Sequence, residues 1–230
     1  MADLSAPAVG RREGMSETEE LRLRVAAAGK DREASFALPA EWQVRVYPAA
    51  WGPAMSPAQI RRAFAGTRGQ VSIAEAARGA RSAVILVDDF RRPTPVEMLC
   101  MEVLEQLAAA GVPRDRVTLI TGGGAHRAQR RLEARRLGRA LQGIGGWLIH
   151  DVFDPKVRYV GLTSAGTPVL VNEVAAQADF SVGISNVYPH PLTAWGGGAK
   201  VVLPGICHVS TTHHHHVRLE PARQLDRLLP

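Results

Sequence analysis

The chain has 230 residues, of which 46% are hydrophobic and 22% charged, and this composition excludes a disordered or fibrous protein. Its formal net charge of +6 does not indicate a nucleic-acid-binding protein, because the arginines are scattered and aromatic residues make up only 5%. Cys100 and Cys207 predict neither a disulfide framework nor a cysteine-rich zinc site, and no apolar segment predicts export or membrane insertion, so we expect a cytoplasmic protein.

The first eighty residues carry only short periodic stretches. Residues 1–20 are polar and irregular, so we expect a disordered tail there and a single domain over residues 21–230. The stretch from Leu21 to Val25 alternates like a strand, and residues 57–65 show a helical pattern.

From residue 81 onward the pattern indicates a strand, a helix and a second strand. Residues 83–87 form a continuous apolar run that is typical of a strand buried on both faces. Residues 94–97, Thr-Pro-Val-Glu, predict a capping box in which the threonine is the N-cap of a helix that stops at Gly111. A strand over residues 117–121 then completes a βαβ unit.

The alternation of helices and strands continues to residue 184. We predict a helix over residues 129–141, strands over 147–149 and 169–171, a helix from Glu173 and a strand over 180–184. Together these elements predict an α/β protein with a mainly parallel sheet and helices on both faces, in a Rossmann-like arrangement.

Ionisable side chains follow four of the predicted strands, at the positions where ligands bind in open parallel sheets. These residues are Asp88 and Asp89, His126, His150 and His190. Residues 88–95 also place carboxylates and guanidinium groups at a helix start, which suits a phosphate and a ribose. On the local sequence alone, a surface ion-pair cluster is an equally good interpretation of this segment.

Two glycine runs border candidate binding residues. Gly122–Gly124 allow the backbone to approach a ligand closely, but Arg127 occupies the third glycine position of the dinucleotide-binding motif. Gly196–Gly198 precede Lys200, yet the neighbours of this lysine are not the glycine and hydroxyl residue of a Walker motif. A partly desolvated Lys200 is a candidate nucleophile, and a lysine that extends from a loop into solvent is the alternative.

Four consecutive histidines occupy residues 213–216. Adjacent side chains point in different directions, so the run cannot form a whole metal cage, although one or two of its members could bind a metal ion. A solvated histidine turn is the alternative. For His150 and His208 we expect structural hydrogen bonds.

Five motifs stand between residues 88 and 206. They are DDFRRPTP at 88–95, TGGGAHR at 121–127, IHD at 149–151, GLTSAGTPVLVNEVAAQADF at 161–180 and YPHPLTAWGGGAKVVLPGI at 188–206. In this order and spacing they resemble the amino-terminal half of the lactate racemase family, with a match over residues 80–216. The resemblance implies the amino-terminal domain of a two-domain enzyme, a nickel-dependent racemase or epimerase of a lactate-like 2-hydroxy acid.

The resemblance also implies a cofactor, the nickel-pincer nucleotide (nickel pyridinium-3,5-bisthiocarboxylic acid mononucleotide), which is linked covalently to a lysine. Lys200 matches that lysine, and Gly197 and Gly198 are expected beside the cofactor. The nickel-binding histidine of the family lies sixteen positions after the lysine, which indicates His216, with His215 as the alternative. Imidazole and sulfur donors both suit nickel in a planar site.

Four more residues take roles from the resemblance. Asp89 and Arg92 match residues that hold the nucleotide, and His126 and His190 match two acid/base histidines. Racemisation can proceed by removal of the hydroxyl proton while a hydride leaves the carbinol carbon, because the planar keto acid accepts hydride on either face. Two imidazoles, with an unperturbed pKa of about 6.5, can then serve the two enantiomers.

The chain departs from the family pattern in three respects. Arg91 stands where the first motif usually has threonine, and Ala194 and Trp195 stand where a phenylalanine and serine pair is usual. The chain also ends at Pro230, before the second domain of the family. We therefore expect a truncated site with altered substrate or cofactor contacts.

The expected partners are a small 2-hydroxy acid, the enzymes that make the cofactor and a separate carboxyl-terminal chain, with neither nucleic acid nor membrane. Three functions compete. The first is a truncated or split racemase, and the second is a module that holds the nucleotide without turnover. The third is an unrelated metal-dependent hydrolase that uses the histidine run.

Overall fold

The computed structural model describes residues 19–27, 30–39, 42, 53–66, 69, 71–190 and 193–218. The chain divides into two compact units, Met1–Pro53 and Ala54–Pro230. Of the predicted tail, residues 1–18 lie outside the described residues, whereas Glu19 and Glu20 belong to the first strand.

The described part of the first unit is a β-hairpin. Strand β1 (Glu19–Ala27) pairs antiparallel with β2 (Lys30–Leu38), with Glu19 opposite Leu38. The alternating stretch that begins at Leu21 therefore lies in a strand, as its period of two predicts.

The second unit contains the remaining helices and strands. In chain order they are α1 (Pro57–Ala65), α2 (Ile73–Ala76), β3 (Ala83–Asp88), α3 (Val96–Ala109), β4 (Val117–Gly122), α4 (Arg130–Leu137), β5 (Gly146–Ile149), β6 (Val157–Leu162), β7 (Pro168–Asn172), α5 (Glu173–Gln177), β8 (Phe180–Ile184), β9 (Tyr188–His190), β10 (Ala194–Gly196) and α6 (Val209–Arg218). Short 3₁₀ helices occupy Arg114–Arg116, Gly138–Leu141 and Gly198–Val201.

A four-stranded parallel sheet forms the centre of this unit, in the order β5-β4-β3-β8. Every residue of β3 is buried, which explains its continuous apolar sequence. Ile85 lies between Leu119 of β4 and Val182 of β8. Because all four strands are parallel, their carboxyl ends meet at one edge, and the predicted α/β class is confirmed.

Both faces of the sheet are covered by apolar packing. On one face, Ile85 and Val87 belong to a core cluster with side chains of α3, including the fully buried Leu104. On the other face, Val84 packs in a cluster with Ile206 and with partly buried alanines of α5. Burial of one such aliphatic side chain stabilises the fold by roughly 1.5–3 kcal/mol.

Two predicted elements differ in detail from the structure. The strand predicted at 169–171 exists as β7, but it pairs antiparallel with β6 and lies outside the parallel sheet. The helix predicted over 129–141 ends at Leu137, and Gly138, with a φ of +49°, begins a 3₁₀ helix. Periodicity identifies a strand but does not specify its partner, so the sequence could not predict this pairing.

The capping box predicted at residues 94–97 is wrong. Helix α3 begins at Val96 with Pro95 as its N-cap, and no side chain caps it. The Thr94 hydroxyl instead donates a hydrogen bond to the Asp88 carboxylate, a partner that the local sequence does not reveal. The predicted stop is confirmed, because the helix ends at Ala109 and Gly111 has a φ of +91°.

Both cysteines have free thiols and are buried. Burial raises the pKa of each thiol to about 12. Near Cys100 the positive charge of Arg136 opposes this shift but does not reverse it. Within the described ranges, no helix combines the length and the apolar character that a membrane-spanning segment requires.

Candidate functional site

A cavity of about 300 Å³ lies at the carboxyl ends of β3, β4 and β8. It brings together residues from stretches that are far apart in sequence, including Asp89, Arg92, His126, His190, Gly197, Lys200 and His216. Gly198 lies beside the cavity rather than on it, and its backbone N–H donates to the hydroxyl of Ser185, which does line the cavity. All but one of the predicted site residues therefore share one cavity.

We call residues 88–92 and 122–126 the carboxylate wall of this cavity. Asp88 is buried and accepts three kinds of hydrogen bond, from the Thr94 hydroxyl, from the Arg136 guanidinium and, at 3.0 Å, from the backbone N–H of Asn186. These contacts tie the loop after β3 to α4 and to the loop after β8. Three different parts of the chain therefore hold Asp88 in place, namely the loop after β3, helix α4 and the loop after β8.

Glu133 of α4 supports the same wall, and the sequence interpretation missed it. Its carboxylate is almost completely buried, accepts from the backbone N–H of Phe90 at 2.7 Å and lies 3.5 Å from the Arg136 guanidinium. Burial raises the pKa of Glu133, and the Phe90 hydrogen bond and the Arg136 charge offset only part of that effect. The sequence did contain a signal for the burial of Glu133, because this residue lies one helical turn before the buried Leu137 and hence on the same face of the helix.

Asp89 and His126 form a hydrogen-bonded pair on the carboxylate wall. Asp89 Oδ2 lies 2.7 Å from His126 Nδ1 and 2.9 Å from Nη1 of Arg91. An ionised carboxylate only accepts, so Nδ1 of His126 donates and Nε2 keeps its lone pair. Burial alone would raise the pKa of Asp89, but His126 and Arg91 bring it below its usual value.

The glycine run 122–124 allows the loop after β4 to approach its neighbours closely. A Cβ at Gly122 would lie 3.1 Å from the carbonyl oxygen of Gly205, and the N–H of Gly124 donates to that same oxygen at 3.0 Å. Gly124 has a φ of +53°, a conformation that favours glycine. The run therefore brings His126 to the cavity through close backbone packing, as predicted from its missing Cβ atoms.

We call residues 188–190 and 197–216 the lysine wall of the same cavity. The Tyr188 ring packs beneath the Arg92 guanidinium at 4.7 Å, and its centroid is 6.1 Å from that of the His190 ring. A Cβ on Gly196, which pairs with Tyr188 across the β9–β10 hairpin, would lie 2.3 Å from the ring. The absence of that Cβ lets Tyr188 occupy this position.

Lys200 lies in the 3₁₀ helix Gly198–Val201 and is half-buried. Burial, with the positive charge of Arg92, lowers the pKa of Lys200 to about 8. Among the described residues, no carboxylate forms an ion pair with this amine. Near neutral pH Lys200 is therefore uncharged for a larger fraction of the time than an ordinary lysine, which suits a nucleophile.

Helix α6 places the four histidines in different surroundings. Nδ1 of His216 donates to the carbonyl oxygen of Thr212 at 2.7 Å, so its Nε2 keeps a lone pair for a metal ion. His215 packs edge-on against it with centroids 5.5 Å apart, and burial, with the charges of His216 and Lys200, lowers its pKa. His214 bonds to the Thr167 hydroxyl at 3.1 Å. Of the four, only His216 lines the cavity.

His190 completes the lysine wall. Burial lowers its pKa, and the charges of Lys200, Arg92 and His216 lower it further. The environment of His190 therefore differs from that of His126, which faces a carboxylate. His190 keeps its neutral, proton-accepting form to a lower pH than an ordinary histidine.

His150 and His208 have structural hydrogen bonds, as expected. Buried His150 donates from Nε2 to the carbonyl oxygen of Cys207 at 2.9 Å, and its Nδ1 lies 3.4 Å from the Asn172 amide. His208 pairs with the Ser210 hydroxyl at 2.8 Å. Although His150 follows a strand of the parallel sheet, it does not reach the cavity.

The donor set of this site is small for a metal held by protein alone. Within the described part of the chain, no group of three or more histidine, cysteine, aspartate or glutamate side chains could hold a metal ion. A nickel ion at His216 would need further donors from a bound organic group, and sulfur donors complement imidazole in this respect. The hydrolase hypothesis thus finds no support in the described residues, whereas an amine and an imidazole on one cavity fit a tethered metal complex.

Comparison with known proteins points to one family. A family model described as the lactate racemase N-terminal domain matches residues 29–225. The chain is similar to the lactate racemase of Lactiplantibacillus plantarum, with 27% identity over 64% of this chain and 35% of that protein. It is also similar to the lactate racemase of Thermoanaerobacterium thermosaccharolyticum, with 24% identity over 68% of this chain and 37% of that protein.

Solved structures show the same fold. The lactate racemase apoprotein from T. thermosaccharolyticum superposes with a TM-score of 0.66 and 21% identity, over 84% of this chain and 45% of that one. A protein from Thermotoga maritima superposes with a TM-score of 0.56 and 19% identity, over 76% of this chain and 47% of that one. The chain thus spans about a third of the length of the curated relatives and less than half of the solved ones.

Proposed function

The chain belongs to the family of the lactate racemase N-terminal domain, and from this premise we propose that it holds a nickel-pincer nucleotide and serves a racemase or epimerase of 2-hydroxy acids. One observation carries the proposal. Lys200, His216, His126 and His190 come from distant segments, yet they line the same cavity at the sheet edge. A small 2-hydroxy acid, lactate or a close analogue, is the proposed substrate.

Three groups of the chain would hold the nucleotide. The Lys200 amine, whose pKa is lowered to about 8, would form the covalent link. The lone pair on His216 Nε2 would complete the coordination of nickel. Arg92 lies on the cavity, and no described carboxylate pairs with its guanidinium, so it is available to a phosphate or a substrate carboxylate.

The two histidines, one from each wall, would move the hydroxyl proton. When bound, the cofactor supplies an acceptor for the hydrogen on the carbinol carbon. His126 takes the hydroxyl proton at Nε2, and Asp89 stabilises the resulting imidazolium through Nδ1. His190 does the same for the opposite enantiomer from the lysine wall. Each histidine can return its proton to the carbonyl oxygen of the planar keto acid, and the configuration inverts when the carbinol carbon regains its hydrogen on the opposite face.

Intact-protein mass spectrometry with nickel analysis tests the proposal. The chain is produced together with the cofactor-making enzymes, and we expect a covalent mass increase on Lys200 with stoichiometric nickel. Lys200→Ala and Lys200→Arg should both lose the increase entirely, because neither side chain offers a neutral amine. Lys156→Arg, at an exposed lysine, is the matched control and should keep it. An adduct that persists in Lys200→Ala would contradict the proposal.

The matched region covers 35% and 37% of the two curated relatives, so cofactor binding and turnover are tested separately, and a module that carries the cofactor without turnover is the second candidate. A racemisation assay with and without a separate chain that corresponds to the unmatched part of a relative distinguishes the two. Turnover that needs the second chain indicates a split enzyme, and an adduct without turnover in both assays indicates a carrier module.

A further inference from the structure

Arg91 contacts both oxygens of the Asp89 carboxylate. Its guanidinium Nη1 donates to Oδ2 at 2.9 Å, and its backbone N–H donates to Oδ1 at 3.2 Å. The Asp89 side chain is only 6% exposed, whereas the Arg91 side chain is 37% exposed. Arg91 therefore reaches inward from the surface to a buried carboxylate.

The same oxygen of Asp89 also accepts from the imidazole. Oδ2 lies 2.7 Å from His126 Nδ1, so His126 and Arg91 share one acceptor atom. Among the described residues, these two are the side chains that hydrogen-bond to Asp89. The position of this oxygen decides whether the His126 proton rests on Nδ1 or on Nε2, because a carboxylate stabilises the tautomer that donates to it.

The guanidinium has a second anchor that fixes its direction. Nη2 of Arg91 donates to the carbonyl oxygen of Arg127 at 3.4 Å, one residue after His126. The Arg91 guanidinium also packs on the Phe90 ring, 4.8 Å from its centroid. Arg91 thus bridges the loop after β3 and the loop after β4, and these loops carry Asp89 and His126.

Other titratable or charged groups lie around Asp89, and they bear on any pH effect. They are Asp88 and Arg92 on its own loop, His126 after β4, Glu133 and Arg136 on α4, and Tyr188 on β9. Asp88 already pairs with Arg136, and Glu133 lies beside the same guanidinium. Among the described side chains, Arg91 is consequently the permanently charged one that contacts the Asp89 carboxylate directly.

We propose that Arg91 is a positioning residue for His126: it holds the Asp89 carboxylate so that Nδ1 of His126 carries the proton and Nε2 stays free toward the cavity. The role of Nε2 as a base rests on the proposed function. The tautomer itself does not, because it follows from hydrogen bonds within this chain.

Nitrogen NMR of the imidazole rings tests the proposal in the chain without cofactor. The ¹⁵N shifts distinguish Nδ1–H from Nε2–H, and His126→Asn assigns the His126 signals. In Arg91→Met the guanidinium no longer fixes Oδ2 opposite Nδ1, so the Nδ1–H tautomer loses much of its hydrogen bond to Asp89, and we expect the ratio of Nδ1–H to Nε2–H tautomers at His126 to fall about five- to tenfold. The backbone N–H of residue 91 remains in this variant, so the change isolates the guanidinium. Arg91→Lys should restore part of the ratio.

Arg131→Met is the matched control, because it removes one exposed positive charge from α4 and leaves Asp89 untouched. The proposal is overturned if Arg91→Met leaves the ratio unchanged, or if Arg131→Met lowers it as much. The amide spectrum of each variant establishes that it is folded. A missing Lys200 adduct would overturn the proposed function alone, whereas an unchanged tautomer ratio would overturn this inference alone.

Discussion

The two walls of the cavity carry opposite kinds of ionisable group, and burial affects them differently. On the carboxylate wall, Asp88 and Asp89 are buried, and each is hydrogen-bonded to an arginine. On the lysine wall, His190, Lys200 and His215 all have a lowered pKa, since burial and neighbouring positive charges disfavour their charged forms. One wall therefore pairs its carboxylates with cations of the chain, whereas on the other wall burial and neighbouring cations favour the uncharged forms of the basic groups.

This difference indicates which wall is complete without a ligand. The hydrogen bonds of Asp88 and Asp89 close on the chain itself, so the geometry of these two carboxylates is set in advance, whereas Arg92 of the same wall is available to a ligand. The lysine wall presents an amine of lowered pKa and imidazole nitrogens, and the lone pairs of their uncharged forms can bind an electrophile or a metal ion. An anionic cofactor bound to the lysine wall would supply the negative charge that the described residues there do not provide.

The largest expected effect is on catalysis, and it compares one histidine from each wall. With a loaded and complemented protein, His126→Ala and His190→Ala should each lower turnover by about 10²- to 10⁴-fold, the usual worth of a general acid/base group. The covalent adduct on Lys200 should persist in both variants, as intact-mass measurement would record. His213→Ala, at an exposed histidine of α6, is the control and should keep its turnover. If either site variant kept full turnover, two-base catalysis across the walls would be wrong.

The second largest expected effect is on the free energy of unfolding, and it tests whether the buried ion pair between Asp88 and Arg136 stabilises the carboxylate wall. Arg136→Met removes the guanidinium from Asp88 and Glu133 and leaves two buried carboxylates without it. We expect the free energy of unfolding to fall by about 3–5 kcal/mol, the cost of breaking one side of a buried pair. Urea denaturation at pH 7 measures the change.

Arg139→Met gives the matched comparison for Arg136→Met. Arg139 also pairs with a carboxylate, Glu97 at 2.9 Å, but its side chain is 73% exposed. The expected loss is below about 1 kcal/mol, because water screens a surface pair. Equal losses in the two variants would mean that the Asp88 network contributes no more than a surface contact.

The sequence predicted the frame of the carboxylate wall better than its contacts. Apolar runs and helical periodicity identified β3, β4, β8 and α3, and the strand-end rule placed Asp89 and His126 at one edge. The rest depends on contacts between distant residues. Asp88 meets Arg136 and Asn186, which lie 48 and 98 positions away, and nothing in a local pattern pairs them. The Thr94 hydroxyl was assigned to a cap for the same reason.

For the lysine wall, the sequence predicted the candidate functional residues better than the secondary structure. Its secondary structure was not predicted, since the β9–β10 hairpin and the 3₁₀ helix Gly198–Val201 are too short for a periodic signal. The glycine run indicated Lys200 as a candidate nucleophile and the histidine run indicated a possible metal ligand, but the roles of Lys200 and His216 came from the resemblance to the lactate racemase family. Sequence could not decide which histidine faces the cavity. That depends on how α6 is rotated against its neighbours, which tertiary packing determines.

The smallest expected effect is the contribution of Lys200, on the lysine wall, to the pH dependence of the free energy of unfolding in the chain without cofactor. The pKa of Lys200 is about 8 in the folded chain, against about 10.4 for a lysine in an unfolded chain. Between these values the unfolded chain binds more protons than the folded one, so this residue makes the free energy of unfolding rise with pH. Its destabilising contribution is full below about pH 8 and fades as the pH approaches 10.4.

Lys200→Met keeps the alkyl chain but removes the amine, and it should therefore be more stable than the parent at pH 7. We expect a gain of about 1 kcal/mol, smaller than the pKa shift alone implies because water partly screens the group. The gain should shrink toward zero near pH 10. Urea denaturation at pH 7 and pH 10 measures it, with Lys156→Met as the exposed control that cancels the titration of other groups. If the two variants showed the same pH dependence, Lys200 would be an ordinary charged lysine, and the lysine wall would lack the neutral amine that the proposed covalent link requires.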